Sequence, residues 1–420
     1  MSGGDDFDLD AMERRRQRAQ ERSESIRNER RGSQRTRLRR THRRRRAAAL
    51  GAVAVVVCVA AGAWTSLGGG GQRRIEVDKP STVAPAVAVP KKPKNSNHIP
   101  MPKFVRGIHV SLADAGSASK MAQFVNLTSK GLNTLEIDVK DENGEVGFVS
   151  GAPALAKKIG AAKNYYDAKQ LIREAHAAGI YVIGRVVCFE DPILSQKEPQ
   201  HAIRTTSGGV WTNGQGLGWT NEYDPFVWNY ILNVSKAAAK MGFDEIQYDY
   251  VRFPTDGPIG DAVWPHQVKE PYANTIYRFL KKARSEIKPL GVNISANVFG
   301  LSAHEDLHIG QNPTKIAPLL DAISPMAYPS HYGPGEYNLT NPDDSPAATV
   351  TYTMGDFRAA MPASDAKKTS IRPWLQDFSL GRTYTLQDVV AQITAAERGG
   401  AKGWLLWNPD VVYHEGALGD

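Results

Sequence analysis

Several aspartates stand at the ends of short, alternating hydrophobic runs: Asp138 in "TLEIDVK", Asp249 in "EIQYDYVRF" and Asp377 in "IRPWLQDF", with Asp191 just past "YVIGRVVCF". Carboxylates brought together in pairs are the working parts of glycoside hydrolysis. One protonates the leaving oxygen, and the other attacks the anomeric carbon or activates water. In "EIQYDYVRF" the polar residues Glu245, Gln247 and Asp249 fall at every second position. A strand turns successive side chains to opposite faces, so such a run has one apolar face and one polar face. The chemistry therefore depends on whether these polar faces converge.

Parity extends the candidate set. In "TLEIDVK" the apolar Leu135, Ile137 and Val139 leave Glu136, Asp138 and Lys140 on the other face. In "VNISANVFG" the same reasoning places Asn293, Ser295 and Asn297 together, and in "FVRGIHVSL" it selects Gly107, His109 and Ser111. Arg185 sets the parity that carries Asp191 inward, with Glu190 as its rival beyond the strand end. Tyr328, Asp377 and Asn408 lie at other run ends. Arg252 closes the Asp249 run, while Trp219 lies in a Gly- and Asn-rich loop and Trp407 near the last run end. Aromatic rings among carboxylates suit a sugar, which offers an apolar face for stacking and hydroxyls for polar groups.

The elements that must position these residues alternate along 101–420. Eight strand candidates, 104–112, 134–140, 181–189, 245–253, 292–300, 322–329, 371–378 and 403–409, are interleaved with helical stretches such as 165–179, 224–242 and 385–400. Gly131, Gly179, Gly242, Gly291 and Gly400 each precede a strand, where a left-handed helix stop is expected. Eight such units predict an α/β fold, a (β/α)8 TIM barrel, whose sites lie at the C-terminal ends of the strands. A doubly wound sheet would want a Gly-rich phosphate loop after its first strand. "HVSLADAGSAS" offers none.

The chain has 420 residues and a net charge of +8. Residues 1–46 hold sixteen arginines against eight acidic residues, so this tail carries the whole excess and the remainder is neutral. Nothing in the body calls for a nucleic acid partner. Residues 47–67 form twenty-one positions without a charge, directly after "RRTHRRRR". That pattern predicts a single transmembrane helix with the Arg-rich tail cytoplasmic and the rest extracytoplasmic. Residues 68–100, "GGGG" followed by spaced prolines, read as a linker. The two cysteines, Cys58 and Cys188, form no disulfide framework.

The segments "GIHVS", "LEIDVKDENGEV", "GIYVIGRVVCFEDP", "GFDEIQYDYVRFP", "RPWLQDFSLG" and "GWLLWNP" resemble, in order across 104–410, a bacterial family called the putative glycoside hydrolase domain. The resemblance implies a TIM barrel related to glycosidases and carries attention to Asp138, Asp191, Asp249, Arg252 and Asp377. The segment "FDEIQYDY" also looks like the fourth-strand signature of chitinase-type barrels, F-D-G-I-D-x-D-W-E. Asp249 matches its last Asp, but Gln247 replaces an Asp and Val251 stands where that family has its catalytic Glu. An amylase-like barrel would want a Glu after the fifth strand, where "SANVFG" offers only Asn297.

The expectation is a glycoside hydrolase acting on an extracytoplasmic polysaccharide, with no cofactor and no metal. Asp249 is the first choice for nucleophile or base. Its partner is Asp191, from the adjacent strand end and suited to retention, or Asp377, from across the barrel and suited to inversion. His109, Asp138, Lys140, Arg185 and Glu190 are expected to bind substrate, together with Trp219, Arg252, Asn297, Tyr328, Trp407 and Asn408. One alternative is a carbohydrate-binding barrel without turnover. Another is a metal-dependent hydrolase using His304 and His308 of "HEDLH", although this HExxH pattern follows Gly300 and reads as a loop where a zinc site requires a helix.

Overall fold

The computed structural model describes residues 98–361 and 368–419; the tail 1–46, the expected anchor 47–67 and the linker as far as residue 97 lie outside them. Among the described residues no helix is long and apolar enough to cross a membrane.

Eight parallel strands form the core: β1 (Val105–Val110), β2 (Thr134–Lys140), β3 (Tyr181–Val187), β4 (Glu245–Asp249), β5 (Asn293–Phe299), β6 (Ala322–Met326), β7 (Trp374–Gln376) and β8 (Gly403–Trp407). They pair in sequence order. β1 pairs with β8, and the Trp374–Met326 pairing joins β7 to β6, so the sheet closes into a barrel. The sixth-to-seventh junction is the irregular one. Ser370–Ile371 pairs with β6 first, then Arg372 and Pro373 interrupt the ladder before β7 begins. Proline has no N–H to give, which accounts for the break.

The outer layer contains α1 (Ala118–Asn126), α2 (Ala168–Ala177), α3 (Pro225–Met241), α4 (Tyr272–Ile287), α5 (Pro313–Ile316), α6 (Pro346–Ala360) and α7 (Leu386–Arg398). After β8 the described chain makes only a 3-10 turn, Glu415–Ala417. Local chemistry fixes the helix ends. Asp167 accepts from the Gln170 amide at 3.0 Å, Asp224 precedes Pro225 and accepts from the Phe226 amide at 2.8 Å, and Thr385 with Asp388 makes a capping box. At Gly242, φ is 112°, the left-handed stop that lets α3 turn directly into β4.

Parity divides the core as the alternation requires. Leu135, Ile137, Val139, Ile246, Tyr248, Ile294, Ala296 and Val298 belong to the cluster shared with the helices. Inside the barrel a smaller apolar cluster runs from Val105 and Tyr181 at strand starts to Trp374, Tyr328 and Trp407 toward the strand ends. Ile99 and Met101 pack onto this cluster from below, and the Ile99 amide donates to Asp244 Oδ1 at 2.7 Å. At this lower level Glu245, the first residue of β4, takes a forked ion pair from Arg372 and a 2.9 Å hydrogen bond from Tyr181 Oη. The polar upper layer is left for the mouth.

Two long loops rise on the mouth side, after β3 and after β4. They are locked together by the antiparallel pair Arg204–Thr205 with Ala262–Val263. Trp211 Nε1 donates to the Pro258 carbonyl at 3.0 Å, and Trp264 Nε1 donates to Glu222 Oε2 at 2.6 Å.

Candidate active site

Arg185, on β3, points into the barrel and is buried. Its Nη1 donates to Asp138 Oδ1 at 2.6 Å from β2, and its Nε donates to Asp249 Oδ2 at 2.8 Å from β4. Glu142 Oε2 lies 3.4 Å from Nη1. The other Asp249 oxygen accepts from the Tyr250 amide at 2.8 Å. Tyr250 has φ 48°, a left-handed conformation that a bulky residue rarely adopts. This turn ends β4 and aims its own amide back at the Asp249 carboxylate. Asp138 and Asp249 are 4% and 6% exposed, at the rim of the filled interior. Burial pushes the Asp138 pKa up to about 6 although Arg185 and His109 oppose the shift.

His109, on β1, lies beside this pair. Glu136 Oε2 is 2.5 Å from its Nδ1, and Asp138 Oδ2 is 3.6 Å from its Nε2. A carboxylate accepts, so the proton belongs on Nδ1. The Trp407 ring lies 4.3 Å from the imidazole, centroid to centroid, and 5.4 Å from the Arg185 guanidinium carbon. Burial would lower the His109 pKa, but Asp138 and Glu136 outweigh it and hold the pKa above its ordinary value. Among the described residues, His109, Glu136 and Asp138 bring one ring nitrogen and two carboxylate oxygens within 4.8 Å of one another. The Nδ1–Glu136 contact and the Arg185–Asp138 bond engage the same side chains.

Asp191 is set apart from this cluster. It is fully buried, its Oδ1 caps the helix 192–197 by accepting from the Leu194 amide at 2.8 Å, and its Oδ2 lies 3.0 Å from Lys140 Nζ. Lys140 also donates to the Val187 carbonyl at 2.8 Å and is fully buried. The two form an ion pair beside the strand ends, and neither takes part in the contacts around Arg185. Glu190 is buried against the β3 loop, where its Oε2 accepts from Asn213 Nδ2 at 2.9 Å.

Asp377, the candidate partner from across the barrel, does not join the contacts around Arg185. Pro373 precedes β7, and Trp374 and Gln376 take the inner face. Asp377 turns to the segment after β8, with Oδ1 2.5 Å from His414 Nδ1 and Oδ2 accepting from the His414 amide at 2.8 Å. Asn408 donates to the Asp377 carbonyl and so holds the same segment. The interior does receive Asn297, whose Oδ1 accepts from Trp374 Nε1 at 2.8 Å, and Tyr328, whose ring meets Phe378 at 5.8 Å. Arg252 stacks between Trp219, Tyr250 and Phe299, with its guanidinium carbon 4.8 to 5.1 Å from the three ring centroids.

Two carboxylates of chemical interest were not singled out from the sequence. Glu136 was assigned to the inner face, but its bond to His109 depends on the β1–β2 register, which sets these two residues opposite each other. Glu222 sits in the β3 loop with nothing local to mark it. Burial pushes its pKa up to about 8. The "HEDLH" segment, residues 304–308, is loop that follows the 3-10 turn Gly300–Ala303. His304 Nδ1 faces Asp356 at 3.0 Å and His308 faces Asp306 at 3.6 Å, so the two histidines do not share a centre.

Residues 107–413 match the family described as "Putative glycosyl hydrolase domain". No curated protein matches the chain. Among solved structures, a hypothetical protein from Ruminiclostridium thermocellum ATCC 27405 is 35% identical, over 45% of this chain and 96% of that one, with a TM-score of 0.42. The PgaB (BpsB) glycoside hydrolase domain from Bordetella bronchiseptica is 12% identical, over 73% and 95%, with a TM-score of 0.53. An alpha-L-fucosidase, isoenzyme 2, from Paenibacillus thiaminolyticus is 16% identical, over 76% and 47%, with a TM-score of 0.50. The last two likenesses are likenesses of fold.

Proposed function

The chain belongs to the putative glycosyl hydrolase domain family, and on that premise we propose that it hydrolyses an extracytoplasmic polysaccharide with Asp249 and Asp138 as the working carboxylates. The observation that carries this reading is the single guanidinium of Arg185, which holds both carboxylates at the ends of β2 and β4. Glycosidases of either stereochemical course need two carboxyl groups ~5–9.5 Å apart. Asp249, accepting from two donors, is the nucleophile or base. Asp138, whose pKa burial pushes up to about 6, is the acid that gives its proton to the leaving oxygen. Asp138 replaces Asp191 and Asp377 in this role because those two are committed to Lys140 and to His414.

The rim aromatic Trp407, beside both His109 and Arg185, is the stacking surface for the sugar. Residues 47–67, preceded by the arginine run, are the membrane anchor in this reading, with the barrel outside and the tail inside. The test is release of reducing ends from cell-envelope polysaccharides by full-length protein. Asp249→Asn should abolish it, and undiminished release would remove Asp249 from the mechanism.

A second reading, a sugar-binding barrel without turnover, draws on the same guanidinium, since Arg185 occupies an oxygen of each carboxylate. Polysaccharide bound with no product after prolonged incubation would favour it.

A further inference from the structure

We propose that the acid of this site is a pair, His109 and Asp138, sharing one proton between Nε2 and Oδ2, and that Glu136 is the positioning residue that sends this proton to Asp138. The proposal rests on the glycosidase reading above and deepens it.

Geometry leads to the pair. His109 and Glu136 are opposed across β1 and β2, and the 2.5 Å contact fixes the imidazole with Nδ1 protonated and Nε2 facing Asp138. The ring cannot swing away, because Trp407 lies 4.3 Å from it on the β8 side. Glu136 is fully buried, and its second oxygen, Oε1, has no hydrogen-bond partner; Arg185 Nε stands 3.9 Å from it. A buried carboxylate with an unsatisfied oxygen is costly to keep. Its retention beneath the rim is explained if its task is to hold the Nδ1 proton.

The charged groups facing the imidazole are few. Glu136 and Asp138 come from β2 and Arg185 from β3, while Asp249 and Glu142 bear on the other side of Arg185. From the segment after β8, Tyr413 Oη donates to the His109 carbonyl at 2.6 Å and ties down its backbone. With Nδ1–H committed to Glu136, a single further proton can sit on Nε2 or on Oδ2, which face each other at 3.6 Å. As the glycosidic C–O bond breaks, its electron pair takes the Oδ2 proton and leaves as the alcohol, and Asp138 becomes the carboxylate. Water supplies hydroxide to the anomeric carbon and one proton to Asp249. That proton returns through solvent to the His109–Asp138 pair, so atoms and charge balance over the cycle.

The test is nitrogen NMR of full-length protein carrying 15N-histidine, with the His109 signals assigned by their loss in H109Q. The expected result is Nδ1 protonated throughout and an Nε2 titration whose midpoint falls by about one pH unit or more in D138N. In E136Q the fixed tautomer should give way to a mixture. A midpoint unmoved by D138N, or an unprotonated Nδ1 in the wild type, would overturn the proposal. So would stoichiometric divalent metal bound by the wild type and lost in E136Q. These readings need no turnover, so they are independent of the D249N hydrolysis assay. Intact coupling with no hydrolysis would leave the pair standing and remove the glycosidase reading.

Discussion

Arg185 donates to Asp138 through Nη1 at 2.6 Å and to Asp249 through Nε at 2.8 Å, so two carboxylates from different strands are held by one buried cation. Removing that cation leaves two buried charges uncompensated. Arg185→Met should cost about 3–5 kcal/mol, measured by chemical denaturation, together with any turnover. Arg185→Lys keeps the charge but loses the fork, and should recover part of the stability and little of the turnover. Equal stability in R185M and wild type would show that the pairing is not formed in solution.

Turnover should fall with rising pH above about 6. Asp138 must be protonated to act as an acid, and burial places its pKa at about 6. The alkaline limb of kcat/KM, which reports the free enzyme, should therefore have a midpoint near 6 and fall about tenfold per unit beyond it. A flat profile from pH 5 to 8 would assign the acid elsewhere.

Glu222 should make stability pH-dependent. Its pKa is about 8 in the fold against an ordinary 4.5, because burial disfavours the anion. The stabilisation from its protonated form is fully present below the ordinary value and is lost as pH rises through about 8. Glu222→Gln keeps an oxygen for Trp264 and cannot ionise. It should be more stable than wild type at pH 8, by about 1.4 kcal/mol for each unit by which burial raises the carboxyl, and nearly equal at pH 4.5.

Asp191 and Lys140 separate a structural carboxylate from a working one. Asp191→Asn preserves a capping side chain but strands a buried lysine, at a cost of about 3 kcal/mol or more. Adding Lys140→Met should restore much of that loss, because no buried charge then remains. Hydrolysis by the double variant at a temperature where it is folded should match wild type; loss of turnover there would return Asp191 to the mechanism.

Gly144, at φ 79°, is the position where the loop after β2 passes over Asp191, and a methyl group there would meet Asp191 Oδ1. Gly144→Ala should lower stability by about 1–3 kcal/mol through backbone strain and crowding. An unchanged melting temperature would mean that the loop yields freely.

Much of the barrel was legible because alternation is a local property. Leu135, Ile137 and Val139 are enough to place Glu136 and Asp138 inside, and the same rule placed Gln247 and Asp249. Residues past strand ends obey other rules. Asp191 precedes Pro192 at the start of a helix, a capping signature that competes with strand parity. Asp377 lies at its run end as expected, but Pro373 interrupts the seventh strand, after which Trp374 and Gln376 hold the inner face. Glu136 and His109 meet only through the register of two strands, and Glu222 meets Trp264 across 42 residues. No window along the chain contains either relationship.

The floor of the barrel has a mechanical meaning. The described chain enters there, with Ile99 and Met101 packed against the inner apolar cluster and the Ile99 amide fastened to Asp244. Any pull transmitted by the preceding segment therefore arrives at the N-terminal ends of the strands, at the pole opposite the carboxylates. The geometry around Arg185, at the C-terminal ends of β2 and β4, therefore lies away from the point of entry.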